Sequence, residues 1–122
     1  MEIINGSTFG EDDLAEIING ETVIRNSPFC SHQRVVGDLM SLIGQHVNKN
    51  KLGQLYTYLD VILEEGINRL QPDLLFIRKG NKAIVQDWIR GVPDMVCEIV
   101  SKGYHAKDTV TKKKVYEKFK LA

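Results

Sequence analysis

Apolar residues recur along this chain with two different periods, and the change between them sets the order of elements. In residues 31–48, Val35, Val36, Leu39, Met40, Ile43 and Val47 fall at helical spacing, so one face of a helix at about 31–48 is apolar. The stretch before it, Asn26-Ser-Pro-Phe-Cys-Ser31, carries cap-forming residues, and Asn48-Lys-Asn-Lys-Leu-Gly53 after it holds the Asn and Gly that suit a helix C-terminus. Upstream, Leu14 to Arg25 sets Asn19-Gly20 between two short β-branched runs, the pattern of a tight hairpin. The pentapeptide Glu-Ile-Ile-Asn-Gly also occurs at residues 2–6, which allows a second turn at Asn5-Gly6 without making a repeat protein.

After Gln54 the period shortens to two. Leu55 to Leu63 and Arg69 to Arg78 read as paired strands around a turn at Glu64-Glu-Gly-Ile-Asn68. Pro72 has no amide to donate and belongs at a strand start or an edge, with Asp73 following where the backbone enters the sheet. Alternation then puts Asp73, Leu75 and Ile77 on one face. Residues 79–94 form a polar connection around Ala83 to Ile89, a short apolar element whose pattern selects neither helix nor strand. Met95 to Val100 reads as a further strand with Val96, Glu98 and Val100 on one face. A loop at Ser101 to Lys107 leads to a helix at about 108–121, where Val115 and Phe119 turn inward and Asp108, Lys112 and Tyr116 share a stripe.

Composition places this pattern in one domain. The 122 residues are 43% hydrophobic and 26% charged with zero formal net charge, enough for one modest core over residues 1–122. No apolar run approaches the roughly 18 residues a membrane span needs. Residues 1–21 hold no Lys or Arg, so no basic leader is expected and a cytoplasmic location is the default. In that compartment Cys30 and Cys97 are expected as thiols, and His32, His46 and His105 have no zinc-ligand spacing. Charge is unevenly spread: Glu2, Glu11, Asp12, Asp13, Glu16 and Glu21 are acidic, whereas residues 102–120 carry seven Lys against Asp108 and Glu117. Such a basic segment can meet phosphates, or can be a solvated helix face.

Asp73 and Glu98 each interrupt an apolar run, and a carboxylate there is costly unless a cation offsets it. Two carboxylates from neighbouring strands with a Lys nearby can hold a hard divalent cation. Mg²⁺ suits them because it takes one or two carboxylates and keeps several waters, one of which can attack a phosphodiester. A lysine would orient or deprotonate that water and balance the phosphate oxygens. A structural arrangement, with Asp73 capping a strand start and Glu98 paired to a Lys or Arg, uses the same residues, and spacing does not separate the two.

Five segments in order resemble the Uma-two family of putative restriction endonucleases, within the PD-(D/E)XK nuclease superfamily. They are Glu16-Ile-Ile-Asn-Gly-Glu21, Ser27-Pro-Phe-Cys-Ser-His32, Gln71-Pro-Asp-Leu-Leu-Phe76, Gly91-Val-Pro-Asp-Met-Val-Cys-Glu-Ile-Val-Ser101, and Asp108, Lys112 and Tyr116 at spacings of four. The resemblance implies an α/β fold, a restriction-endonuclease-like mixed β-sheet with an N-terminal hairpin, flanked by helices at about 31–48 and 108–121. It implies that Asp73 and Glu98 bind Mg²⁺ or Mn²⁺, with the backbone carbonyl of Ile99 as a third ligand. The superfamily's usual Lys, two residues after the Glu, is Val100 here, so Lys112 on the following helix takes its role, while Lys113 and Lys114 point away. Glu16 would complete the acidic cluster, His32 would contact substrate or cap its helix, and Asp108 and Tyr116 are further candidates. Ser101-Lys-Gly-Tyr104 stands where the family has an S-P-S-T-like turn, and the chain stops at Phe119-Lys-Leu-Ala122 where members continue with a G-V-x-E-Y-W-like strand. The expectation is a nuclease-like domain shortened at its C-terminus, whose open sheet edge a second copy covers.

The leading expectation for function is a divalent-metal-dependent endonuclease cutting phosphodiester bonds in nucleic acid, DNA foremost. The alternative is a weak or inactive nuclease-like domain that binds nucleic acid or a protein through its Lys-rich helix. A third reading is a scaffold in which Glu98 and Lys112 form a buried ion pair.

Overall fold

The computed structural model describes residues 15–24, 29–100 and 106–121, the side chains of 106–109 excepted. β1 (Ala15–Ile18) and β2 (Glu21–Ile24) form the N-terminal hairpin. Asn19 and Gly20 at its turn have φ of 51° and 81°, the pair of left-handed residues that a type I′ turn requires. α1 (Cys30–Lys49) follows, with His32, Val36 and Val47 buried along one side. It ends in a Schellman motif: the Leu52 N–H donates to Val47 O at 3.0 Å and the Lys51 N–H to Asn48 O at 3.3 Å. Lys51 occupies the left-handed position at φ 50°, so the glycine expected to end the helix has another use. A Cβ on Gly53 would lie 2.1 Å from the carbonyl oxygen of Ile77, and only glycine lets the two strands approach that closely.

The two long strands expected after Gln54 are each cut in two. Leu55 to Leu63 divides into β3 (Gly53–Tyr56) and β4 (Val61–Glu64), and Arg69 to Arg78 divides into β5 (Asn68–Leu70) and β6 (Leu74–Arg78). β4 and β5 pair in a five-stranded sheet of order β2-β1-β5-β4-β7, whereas β3 and β6 pair in a three-stranded sheet of order β3-β6-β8. The expected hairpin is therefore real but broken across its middle, so one sheet becomes two. Pro72 supplies no ladder donor on one side of the break, and Tyr58 at φ 50° turns the chain on the other. Asp60 fills the gap, accepting from the Nε2 of Gln71 at 2.6 Å and from the Nε of Arg69.

The connection of undecided type is a 3-10 helix (Lys79–Ile84) followed by the two-residue β7 (Ile89–Arg90), which runs parallel to β4. β8 (Met95–Cys97) stops three residues short of the expected strand. Glu98, Ile99 and Val100 leave the sheet, and alternation no longer governs them, with Val96 half-buried and Val100 66% exposed. α2 (Ala106–Lys118) closes the chain. Ile18, Leu70, Val115, Tyr116 and Leu121 form one apolar cluster beneath it, with Phe119 packed alongside just past the helix end. A second cluster, Val61, Leu75, Ile77 and Ile89, joins the two sheets, and Leu63 and Val96 touch both. Each such side chain contributes roughly 1.5–3 kcal/mol on burial.

Among the described residues no helix is long and apolar enough to cross a membrane. The second turn at Asn5-Gly6, the linker residues 26–28, the loop at 101–105 and the side chain of Asp108 lie outside the described residues.

Candidate active site

The pairing of β6 with β8 brings the two carboxylates together. In its antiparallel register Leu74 faces Cys97, and the next step along both chains sets Asp73 opposite Glu98. Neither residue is inside a strand: Asp73 precedes β6 and Glu98 follows β8, where backbone groups have left the ladder and can serve side chains. The Ile99 N–H donates to Asp73 Oδ2 at 2.7 Å. His32 Nε2, from α1, lies 3.1 Å from the same oxygen. Asp73 is wholly buried, so these donors stand in for the water it has lost.

Glu98 is served from α2. Tyr116 O–H donates to Glu98 Oε1 at 2.8 Å, and Lys112 Nζ lies 2.9 Å from that oxygen. Lys112 and Tyr116 are four residues apart and share a helix face, as their spacing requires. Lys112 Nζ also donates to Glu16 Oε2 at 2.8 Å, and that oxygen accepts the Gln71 N–H at 2.9 Å. Glu16 and Lys112 are both buried, a pairing that is strongly destabilised when one member is removed.

Titration reflects this crowding. Burial pushes the Glu98 carboxyl up, and Asp73 nearby adds to the push, against the attraction of Lys112 and the Tyr116 hydrogen bond. Burial alone would lower Lys112, but the charges of Glu98 and Glu16 outweigh it and hold the ammonium above its ordinary value. The Cys97 thiol is raised by burial first and then by Asp73 and Glu98. Three carboxylates thus gather around one ammonium and one imidazole, and the site carries more carboxylates than lysines.

Among the described residues no group of three or more His, Cys, Asp or Glu side chains is disposed to hold a metal ion. The available donors are the carboxylates of Asp73 and Glu98, and their surplus negative charge is what a cation would offset. Two oxygen donors of this kind fit Mg²⁺, which takes few protein ligands and retains its waters.

Six of the candidate side chains meet here: Glu16, His32, Asp73, Glu98, Lys112 and Tyr116. Lys113 and Lys114 are exposed, with Lys113 Nζ 4.0 Å from Glu117. His32 does not cap α1; the N-cap position is Phe29, without a side-chain cap, and His32 is buried against Asp73 instead. Three participants carry no signal in the sequence. Gln71 acts through its backbone amide, Gln33 meets His32 as its neighbour in the helix, and Tyr58 reaches them by a tertiary contact, its O–H donating to Gln33 Oε1.

A family model described as putative restriction endonuclease matches residues 2–121. Among solved structures, the chain is similar to a protein from Anabaena variabilis ATCC 29413 described as a putative nuclease belonging to DUF820, with 18% identity and a TM-score of 0.73 over 88% of this chain. The match covers 62% of that longer chain, and at this identity it shows a shared fold. No curated protein matches.

Proposed function

The chain belongs to the Uma-two family of putative restriction endonucleases, and on that premise we propose that it is a divalent-metal-dependent endonuclease that hydrolyses phosphodiester bonds in DNA, acting in the cytoplasm. The observation that carries this reading is the β6–β8 register, which sets the buried Asp73 opposite Glu98. Asp73, Glu98 and the Ile99 carbonyl would hold Mg²⁺ or Mn²⁺, which supplies charge neutralisation and acidifies a bound water. Lys112, held above its ordinary value, stays charged at neutral pH. Its part is therefore to orient the attacking water and to balance charge on the phosphate oxygens, not to remove a proton. Tyr116 fixes Glu98 through its hydroxyl, and Glu16 keeps Lys112 in place. The exposed Lys113 and Lys114 on the same helix offer charge to a nucleic-acid backbone.

The direct contact of Lys112 with Glu98 favours a second reading, a catalytically weak or inactive nuclease-like domain in which this ion pair is structural. Plasmid nicking separates the two. The endonuclease is expected to cut with Mg²⁺ or Mn²⁺, to stop with EDTA, and to lose about a hundredfold or more in rate on Asp73→Ala. Equal cleavage by wild type and Asp73→Ala would overturn it. The second reading expects no turnover from either, with binding to nucleic acid that weakens as salt rises.

Among the described residues β8 pairs only with β6, leaving its other edge open, and we propose that a second copy covers that edge. A stable monomer in light scattering at micromolar concentration would remove that assembly.

A further inference from the structure

We infer that His32 is a positioning residue that fixes the Asp73 carboxylate ahead of metal binding; the inference rests on the metal-dependent reading above. His32 lies in the first turn of α1, a helix that carries none of the proposed ligands. Its side chain is 2% exposed and that of Asp73 1%, so both partners are buried. Nε2 stands 3.1 Å from Asp73 Oδ2. A carboxylate only accepts, so Nε2 carries the ring proton and donates.

The other edge of the ring packs against two side chains. His32 Nδ1 lies 3.1 Å from Gln33 Oε1 and 3.5 Å from the Tyr58 hydroxyl, and Tyr58 in turn donates to Gln33. Tyr58 belongs to the break between β3 and β4 and sits at φ 50°, an unfavourable backbone for an aromatic residue. The imidazole therefore sits between its helix neighbour, the β3–β4 break and Asp73, and its donation to Asp73 is the bond that orients the carboxylate.

Packing alone does not ask for this arrangement. The buried face of α1 is otherwise apolar at Val36 and Val47, and an apolar residue at position 32 would leave Asp73 with one fewer donor. Oδ2 of Asp73 accepts from His32 on one side and from the Ile99 N–H on the other. Two donors on one oxygen resist rotation of the carboxylate, so its orientation is set before a cation arrives. Hydrogen bonds of this kind behind a ligand raise metal affinity by removing the ordering cost from the binding step.

Mn²⁺ binding to the full chain, measured by calorimetry without nucleic acid, tests the inference. His32→Ala is expected to weaken Mn²⁺ binding by about tenfold or more, while His32→Gln, whose amide N–H can replace the Nε2 donor, recovers most of the loss. His32→Leu, which fills the space of the ring without a donor, is expected to weaken binding as far as His32→Ala does, with an unchanged circular dichroism spectrum. Wild-type affinity in folded His32→Ala would overturn the inference and leave the metal-dependent reading standing. If His32→Ala does not fold, wild-type affinity in folded His32→Leu overturns it in the same way. Failure of the wild type itself to bind millimolar Mn²⁺ would overturn the metal-dependent reading and this inference together.

Discussion

Two clusters in this protein place one cation between two carboxylates. In the first, Lys112 stands 2.8 Å from Glu16 and 2.9 Å from Glu98. In the second, Arg90 stands 2.8 Å from Asp87 and 3.2 Å from Glu65. The distances match, but the Lys112 side chain is 5% exposed and that of Arg90 37%. In the exposed cluster the hydrogen bonds from Arg90 and from the Trp88 N–H pull Asp87 down to about 2, the ordinary response of a paired carboxylate. In the buried cluster Glu98 moves the other way, because lost hydration outweighs an equally close lysine. Water decides the sign, and it follows that the buried cluster is held in place by its surroundings while the exposed one is an ornament of the surface.

Removing the buried cation should have the largest effect. Lys112→Met leaves Glu16 and Glu98 without their shared partner and is expected to lower unfolding free energy by about 3–5 kcal/mol in chemical denaturation. A loss below about 1 kcal/mol would place this cluster with the exposed one and break the comparison.

The pH dependence comes next. Glu98 titrates above its ordinary value of 4.5 in the folded protein, so between 4.5 and that raised value the folded state binds the proton more tightly than the unfolded chain. Its contribution is fully favourable below 4.5 and is lost as pH rises through the folded value. The stability of wild type relative to Glu98→Gln should therefore increase as pH is lowered from 7 towards 4.5. Asp87, being lowered, contributes with the opposite sign, and its contribution disappears only as pH falls towards about 2. A wild-type advantage over Glu98→Gln that grows with rising pH would show that pairing, not burial, governs Glu98.

A smaller change separates charge from anchoring. Just past α2, Lys120 sits at φ 64°, where the Leu121 N–H donates to Tyr116 O at 2.9 Å and the Lys120 N–H to Glu117 O at 2.9 Å. Lys120→Gly relieves that left-handed position and is expected to stabilise by about 0.5–1 kcal/mol. The gain should simply add to the loss from Lys112→Met. Rescue well beyond additivity would mean that Lys112 acts by pinning α2. Smallest of all, Arg90→Met is expected to leave the unfolding midpoint where it is, since its partners remain hydrated.

Much of this architecture was legible from local pattern. The Asn19-Gly20 hairpin, the amphipathic α1 and the α2 stripe holding Lys112 and Tyr116 all rest on interactions between residues close in the chain, and they appear near their expected places. The break in the central hairpin was only half legible. Pro72 marked one side, but nothing local distinguishes Tyr58 as left-handed or Asp60 as the acceptor that fills the gap. The end of β8 at Cys97 was hidden for a related reason: Ile99 and Val100 look like strand residues, and only the demand of Asp73 for a donor draws the Ile99 amide out of the ladder.

Local pattern names the residues that carry charge in apolar surroundings and, through the spacing of four on α2, shows that Lys112 and Tyr116 share a face. It determined the family as well, through motifs that survive in order along the chain. Tertiary structure alone decided what surrounds each charge. Glu16 reaches Lys112 across 96 positions of sequence and His32 reaches Asp73 across 41, and no periodicity spans such distances. It also decided that Glu98 should rise, because a pKa depends on the water excluded by residues far away in sequence, and exclusion of water is a property of the packed molecule, whereas Asp87 falls through Arg90 and Trp88, its near neighbours in the chain.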